Sequence, residues 1–195
     1  MTSNKNQHHH TNLYVITGGP GVGKTTLLQT LHQSGFNTVA EDARKIIQQQ
    51  VASGADGLPW KDKEVYASLM LQASIATYQK AVTNYSEQPK FFGRGIIDTL
   101  CYMDMEKIPL PDNLNRIVSE YRYNTKVFIL PPWKEIYQTD SERKQSWQQA
   151  EFTFHQMKQT YQKYGYELIQ VPAADVDTRV RFLLGQIQHT ESRQA

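Results

Sequence analysis

The 195-residue chain has a single cysteine, no long apolar run and almost no net charge, and each shortage closes off a class of protein. One cysteine excludes an internal disulfide framework and suits a reducing compartment, so a cytoplasmic location is expected. No stretch approaches the roughly 20 apolar residues of a membrane-spanning helix, and the polar opening MTSNKNQHHHTN holds no apolar signal-peptide core. The 21 Lys and Arg against 19 Asp and Glu leave a formal charge of +2, which gives no general field for nucleic acid or an anionic membrane. Neither partner is expected. With 39% hydrophobic residues the chain can bury one sizeable core, and it is short for two.

What is present alternates between short apolar runs and amphipathic stretches. Leu13–Thr17 (LYVIT), Phe36–Ala40, Phe91–Phe92, Lys126–Leu130 (KVFIL) and Tyr166–Val171 read as strands. Between them, helical spacing predicts helices over Lys24–Gln33, Asp42–Ser53, Lys61–Tyr85, Ile97–Met105, Asn113–Tyr121 and Val176–Gln188. In the long third helix the apolar face is expected at Val65, Leu69, Ala73 and Ala76. The polar stretch from Trp133 to Tyr164 reads as solvated helix. Strand and helix in alternation predict an α/β fold with a mostly parallel five-stranded sheet covered on both faces. A single domain over residues 13–190 is expected, with tails 1–12 and 191–195 disordered.

One motif is specific. Gly18-Gly19-Pro20-Gly21-Val22-Gly23-Lys24-Thr25 fits G-x-x-x-x-G-K-[ST] between a predicted strand and a predicted helix. Glycines allow the backbone to curl its N–H groups around an anion, and the free amides and dipole of the helix start add to the attraction. Lys24 suits the β and γ phosphates, the Thr25 hydroxyl suits Mg²⁺, and Thr26 suits the α phosphate. The motif predicts binding of a nucleoside triphosphate with Mg²⁺.

GGPGVGKTT resembles the Walker-A loop of P-loop NTPases. The segment FFGRGIIDTLCY is similar to the F-[D]-R-G-x-x-D-T-x-x-Y stretch of a small AAA-type ATPase-like family related to ribosylnicotinamide kinases and to nucleoside and nucleotide kinases. The lid-like WKEIYQTDSERKQSWQQA and the closing GYELIQVPAADVDTRVRFLL also resemble that family, so the likeness spans most of residues 13–188. It implies a three-layer P-loop fold with a helical lid around 133–145, and phosphoryl transfer from ATP to a small nucleoside- or nucleotide-like acceptor. An ATP hydrolase and a nucleotide sensor without catalysis are the alternatives.

Several residues acquire expected roles from this likeness. Glu41 or Asp42, at the end of the second strand, corresponds to the carboxylate that takes the acceptor's proton, although Asp42 also reads as a helix N-cap. Arg94 would face the phosphates or the acceptor, or else lie on the surface. Asp98 would orient Arg94 or a metal-bound water, or stand exposed in a first helical turn. Arg143 in the lid, with Lys144 second, would neutralise charge on the transferred group. Pro172 and Ala173 would lie against the adenine ring. Gly93 departs from the pattern, since the family carries an aspartate there. Cys101 reads as a small buried residue, and Trp60, Trp133 and Trp147 as packing residues.

Overall fold

The computed structural model describes residues 12–84, 86–136 and 146–191. Five strands form its centre: β1 (Leu13–Thr17), β2 (Asn37–Val39), β3 (Lys90–Gly93), β4 (Lys126–Ile129) and β5 (Glu167–Gln170). They lie in the order β2-β3-β1-β4-β5, with every pairing parallel. Parallel neighbours require crossovers, which α1 (Lys24–Gln33), α2 (Ala43–Ser53), α3 (Lys63–Thr83), α4 (Ile96–Met105), α5 (Leu114–Glu120), α6 (Trp147–Lys163) and α7 (Val176–Glu191) supply. The expected α/β fold with a five-stranded parallel sheet is the fold observed.

Alternation along the strands builds two cores, one on each face of the sheet. Leu13, Val15, Phe92 and Val127 point to the side covered by α3, α4, α5 and α6. Tyr14, Ile16, Phe91 and Phe128 point to the side covered by α1 and α7. Val15, Ile16, Val127 and Phe128 are wholly buried. Burying each such side chain contributes about 1.5–3 kcal/mol, so the central strands are the firmest part of the molecule. That firmness matters because the loops at their carboxyl ends form the site.

Three expectations about the helices need correction. The buried residues of α3 include Tyr66, Ala67, Leu71, Tyr78 and Ala81, whereas Val65 is 44% exposed and Ala76 is exposed. Tyrosine accounts for the difference: its ring packs while its hydroxyl finds a partner, as Tyr78 does by donating to the Arg122 carbonyl at 2.7 Å. Its start also falls two residues later than expected, because the Asp62 carboxylate accepts from the Glu64 and Val65 amides and caps the helix.

The stretch from Trp133 is not one solvated helix. A short 3-10 turn at Lys134–Ile136 comes first, and α6 begins only after Ser146, which forms a reciprocal cap with Gln149. Ala150, Thr153, Phe154, Met157 and Tyr161 then form a buried face at helical spacing. Trp60 is 65% exposed and does not pack. The expected lid arginine Arg143 and its alternative Lys144 lie outside the described residues, as do most of the expected lid and the tails 1–11 and 192–195.

Candidate functional site

The carboxyl ends of all five parallel strands share one edge of the sheet, where α/β proteins bind ligands. β1, at the centre, runs into the glycine-rich loop. Gly18, Gly21 and Gly23 have φ of 145°, 78° and 86°, which L side chains rarely adopt. At Gly18 a Cβ would also lie 2.8 Å from the Leu130 carbonyl oxygen, so the loop is pressed against the end of β4. Gly19 borders open space, Pro20 is exposed and the Val22 side chain is buried. The Lys24 side chain is buried, and its Nζ donates to the Gly18 carbonyl at 2.8 Å and the Gly19 carbonyl at 2.9 Å. Thr25 and Thr26 are exposed at the start of α1.

On the β2–β3 side of this loop lies an open cleft with charged, hydroxyl and apolar groups in its lining. Glu41, Asp42, Ser74, Thr77, Arg94 and Asp98 contribute polar groups to its lining, and Ile46, Met70, Phe92 and Tyr123 apolar ones. Glu41 accepts a hydrogen bond from Arg94 Nε at 2.6 Å. Burial works to raise the Glu41 pKa, but Arg94, then Lys24 and Arg44, outweigh it and hold the carboxyl below its ordinary value. Burial likewise opposes the Arg94 charge, and Glu41 and Asp98 overcome it, raising that pKa above the usual range. Both groups are therefore charged at neutral pH, and the reading of Arg94 as a solvated surface residue is set aside.

Arg94 has φ of 87°, a left-handed conformation that costs a residue with a side chain of the order of 1 kcal/mol or more. Register explains how it is held. Ile16 pairs with Gly93, and the Arg94 amide then donates to the Ile16 carbonyl at 3.1 Å, extending the β1–β3 ladder one residue into the loop. The backbone turn directs the guanidinium toward Glu41 on one side and Asp98 on the other, the latter at 3.7 Å.

Asp98 is buried, which overturns the reading of an exposed first-turn acid. Its carboxylate accepts from the Gly95 amide at 2.7 Å, from the Tyr161 hydroxyl at 2.6 Å and from the Thr17 hydroxyl. β1, α4 and α6 are thereby tied together beside Arg94. Asp42 occupies the N-cap position of α2 but makes no side-chain capping bond. It accepts instead from the Thr77 hydroxyl on α3 at 2.7 Å and lies 3.7 Å from Lys45.

Thr17, Thr77 and Tyr161 escape a reading of the sequence, because nothing local marks a threonine or tyrosine whose partner lies 35 to 81 residues away. Gly93 is tightly filled: a Cβ there would meet Leu28 Cδ1 at 2.5 Å. Pro172 and Ala173 follow β5 on the opposite flank of the glycine-rich loop from the cleft. Cys101 is buried as expected, and burial pushes its thiol up to about 11. Among the described residues no group of three or more His, Cys, Asp or Glu could hold a metal ion, and no helix is long and apolar enough to cross a membrane.

No curated protein matches the sequence. Among solved structures, the NadR protein in complex with NR superposes with a TM-score of 0.70 at 15% identity, over 93% of this chain and 52% of that one. Deoxyadenosine kinase from M. mycoides with bound dATP gives 0.56 at 17% identity, over 90% and 98%. Thymidylate kinase from Candida albicans gives 0.57 at 15% identity, over 93% of each chain. The chain thus spans about half the length of the NadR chains it matches, and the likeness is one of fold. The family model described as an AAA domain matches residues 13–179. With that match over most of its length, and a parallel sheet shared with P-loop kinases, the chain belongs to the AAA domain family and has a kinase-like P-loop fold.

Proposed function

We propose that the protein binds Mg-ATP and transfers its γ-phosphoryl group to a hydroxyl of a small nucleoside- or nucleotide-like acceptor seated in the β2–β3 cleft. The observation that carries this reading is the charged Glu41–Arg94 pair, held at 2.6 Å in a cleft beside the glycine-rich loop. The loop's amides and the Lys24 ammonium hold the phosphates, with Lys24 exchanging its bonds to Gly18 and Gly19 for phosphate oxygens. With no carboxylate cluster available among the described residues, Thr25 is the protein's ligand for Mg²⁺, which suits an ion that keeps its waters and leans on nucleotide phosphates. When bound, the ion neutralises phosphate charge.

Glu41 orients the attacking hydroxyl and takes its proton. A carboxylate held below its ordinary pKa is a weak base, and that suffices where the transition state is loose and positioning dominates. Arg94 fixes Glu41 and faces the charge that develops on the transferred group. Asp42 and Asp98 hold α2, α3 and α4 around the cleft, while Arg143 is assigned to the lid and Pro172 with Ala173 to the adenine. Among the described residues of the cleft lining Arg94 is the one cation, and two carboxylates already engage it, so within that acceptor class the lining suits a nucleoside better than a phosphorylated nucleotide.

A second reading, an ATP hydrolase or a nucleotide sensor, draws on Gly93, where Leu28 occupies the place of the family's acidic side chain. Titration calorimetry with Mg-ATP, run beside ADP formation with and without a pool of nucleosides and nucleoside monophosphates, tests the proposal. Binding with acceptor-dependent ADP is expected, and Lys24→Ala abolishes both. Binding with acceptor-independent ADP supports the hydrolase, and binding without ADP the sensor.

A further inference from the structure

Arg179, on the first turn of α7, is 4% exposed and belongs to neither the cleft nor the phosphate motif. Its Nη1 donates to the Val22 carbonyl, inside the glycine-rich loop, at 3.0 Å across 157 residues of sequence. Its guanidinium lies 4.7 Å over the Trp133 ring. Nε and Nη2 find no partner among the described residues. The carboxylate of Asp175, one turn earlier, is taken up by the amide and hydroxyl of Thr178. A buried guanidinium costs several kcal/mol unless something compensates it, so one that rests on a single carbonyl and an aromatic face calls for an explanation.

The peptide plane supplies one. The Val22–Gly23 peptide is trans and planar, so its C=O and its N–H point in opposite directions. Gly23, at φ 86°, leaves this peptide free to turn over, and among the described residues the Val22 carbonyl accepts its hydrogen bond from Arg179, on the outer side of the loop. An outward carbonyl aims the Gly23 amide inward, among the N–H groups that cradle an anion.

We propose that Arg179 is a positioning residue for the phosphate loop, fixing the Val22–Gly23 peptide so that the Gly23 N–H faces the bound phosphate. The proposal rests on the nucleotide-binding reading given above and adds to it a residue that does not itself touch the nucleotide. It also links α7 and Trp133, on the β4–β5 flank, to the loop at the centre.

The test compares Arg179→Met, which keeps bulk and removes the donors, with Arg179→Lys, which restores one. The ligands are Mg-ATP and magnesium tripolyphosphate, which has no base. Affinity is measured by calorimetry, and the Gly23 amide is followed in ¹⁵N-labelled protein. Arg179→Met is expected to weaken both ligands by a similar factor, about tenfold for a charge-assisted hydrogen bond, and to shrink the ligand-induced shift of the Gly23 amide. Arg179→Lys should return both affinities to within about threefold of the unmodified protein.

Unchanged tripolyphosphate affinity in Arg179→Met overturns the proposal, whether the ATP affinity falls, which would mean a contact to the base, or only the melting temperature falls, which would mean a structural role. If Met at 179 prevents folding, Arg179→Gln, which loses the charge and the reach of the guanidinium, carries the same comparison, and a tripolyphosphate affinity unchanged from that of the unmodified protein again contradicts the proposal. An unmodified protein that binds neither ligand fails at the earlier step and overturns nucleotide binding itself.

Discussion

Glu41 and Arg94 meet at 2.6 Å although 53 residues separate them, because β2 and β3 are neighbours and both chains turn out of the sheet at the same edge. Neither strand end makes the pair alone: β2 brings the carboxylate, and the left-handed turn at Arg94 brings the guanidinium back over it. The cleft takes its charge pattern from this contact.

Replacing Glu41 by Gln separates chemistry from nucleotide binding. Acceptor-dependent ADP formation should fall by about 10²–10⁴-fold, the usual contribution of a positioned proton acceptor. Mg-ATP affinity should be no weaker than in the unmodified protein, because a negative charge has been removed near Lys24. Initial rates and calorimetry on the same preparation check both halves.

Asp98 is predicted to hold the site through stability. Asp98→Asn leaves the Thr17 and Tyr161 hydroxyls and the Gly95 amide facing an amide instead of a carboxylate. A loss of about 3–5 kcal/mol is expected, as when one member of a buried charged network is removed. Tyr161→Phe deletes one hydrogen bond to the charged group and should cost about 1.5–3 kcal/mol. Urea unfolding curves give both values.

Gly93 and Leu28 should show energetic coupling. Gly93→Ala puts a methyl 2.5 Å from Leu28 Cδ1 and is expected to cost about 1–3 kcal/mol by overpacking. Leu28→Ala opens a cavity and costs about 2–5 kcal/mol by itself. The double variant should lose less than the sum by at least 0.5 kcal/mol, roughly the size expected for residues in contact. Additive losses would mean that the two side chains do not compete for the same space.

Acid should weaken the fold partly through Glu41. A carboxyl whose folded pKa lies below its ordinary 4.5 contributes stability above that value and loses it as pH falls through the folded value. The melting temperature of the unmodified protein should therefore exceed that of Glu41→Gln at pH 7. The gap should narrow below pH 4.5. A gap independent of pH would show that the pair does not hold the carboxyl low.

The sheet and the phosphate loop were legible because their signals are local. β1 and α1 have the expected bounds, Leu13–Thr17 and Lys24–Gln33, since an apolar run, four loop glycines and a leucine-spaced helix follow one another without ambiguity. The buried face of α3 was not legible. That helix is apolar on several sides, and the decision fell to Tyr66 and Tyr78, whose burial depends on partners such as the Arg122 carbonyl on a distant segment. The packing of α6 was hidden in the same way, by threonine, methionine and tyrosine among glutamines.

In the site, the motif pointed to Lys24, and the likeness to a family pointed to Glu41, Arg94 and Asp98. Which carboxylate pairs with Arg94 is a property of strand order, and Asp42 turning to Thr77 instead of capping α2 is a property of where α3 packs. Arg179 left no local trace. An arginine in a first helical turn reads as solvated until the loop it supports is seen beside it.

The most direct test of the account follows the γ-phosphoryl group itself. The protein is incubated with γ-³²P-labelled Mg-ATP and the mixed pool of nucleosides and nucleoside monophosphates, and the label is traced by chromatography. The account predicts that label appears on an organic acceptor, that Glu41→Gln suppresses this product, and that little free phosphate forms. Label released only as inorganic phosphate, at a rate the pool does not change, would contradict it.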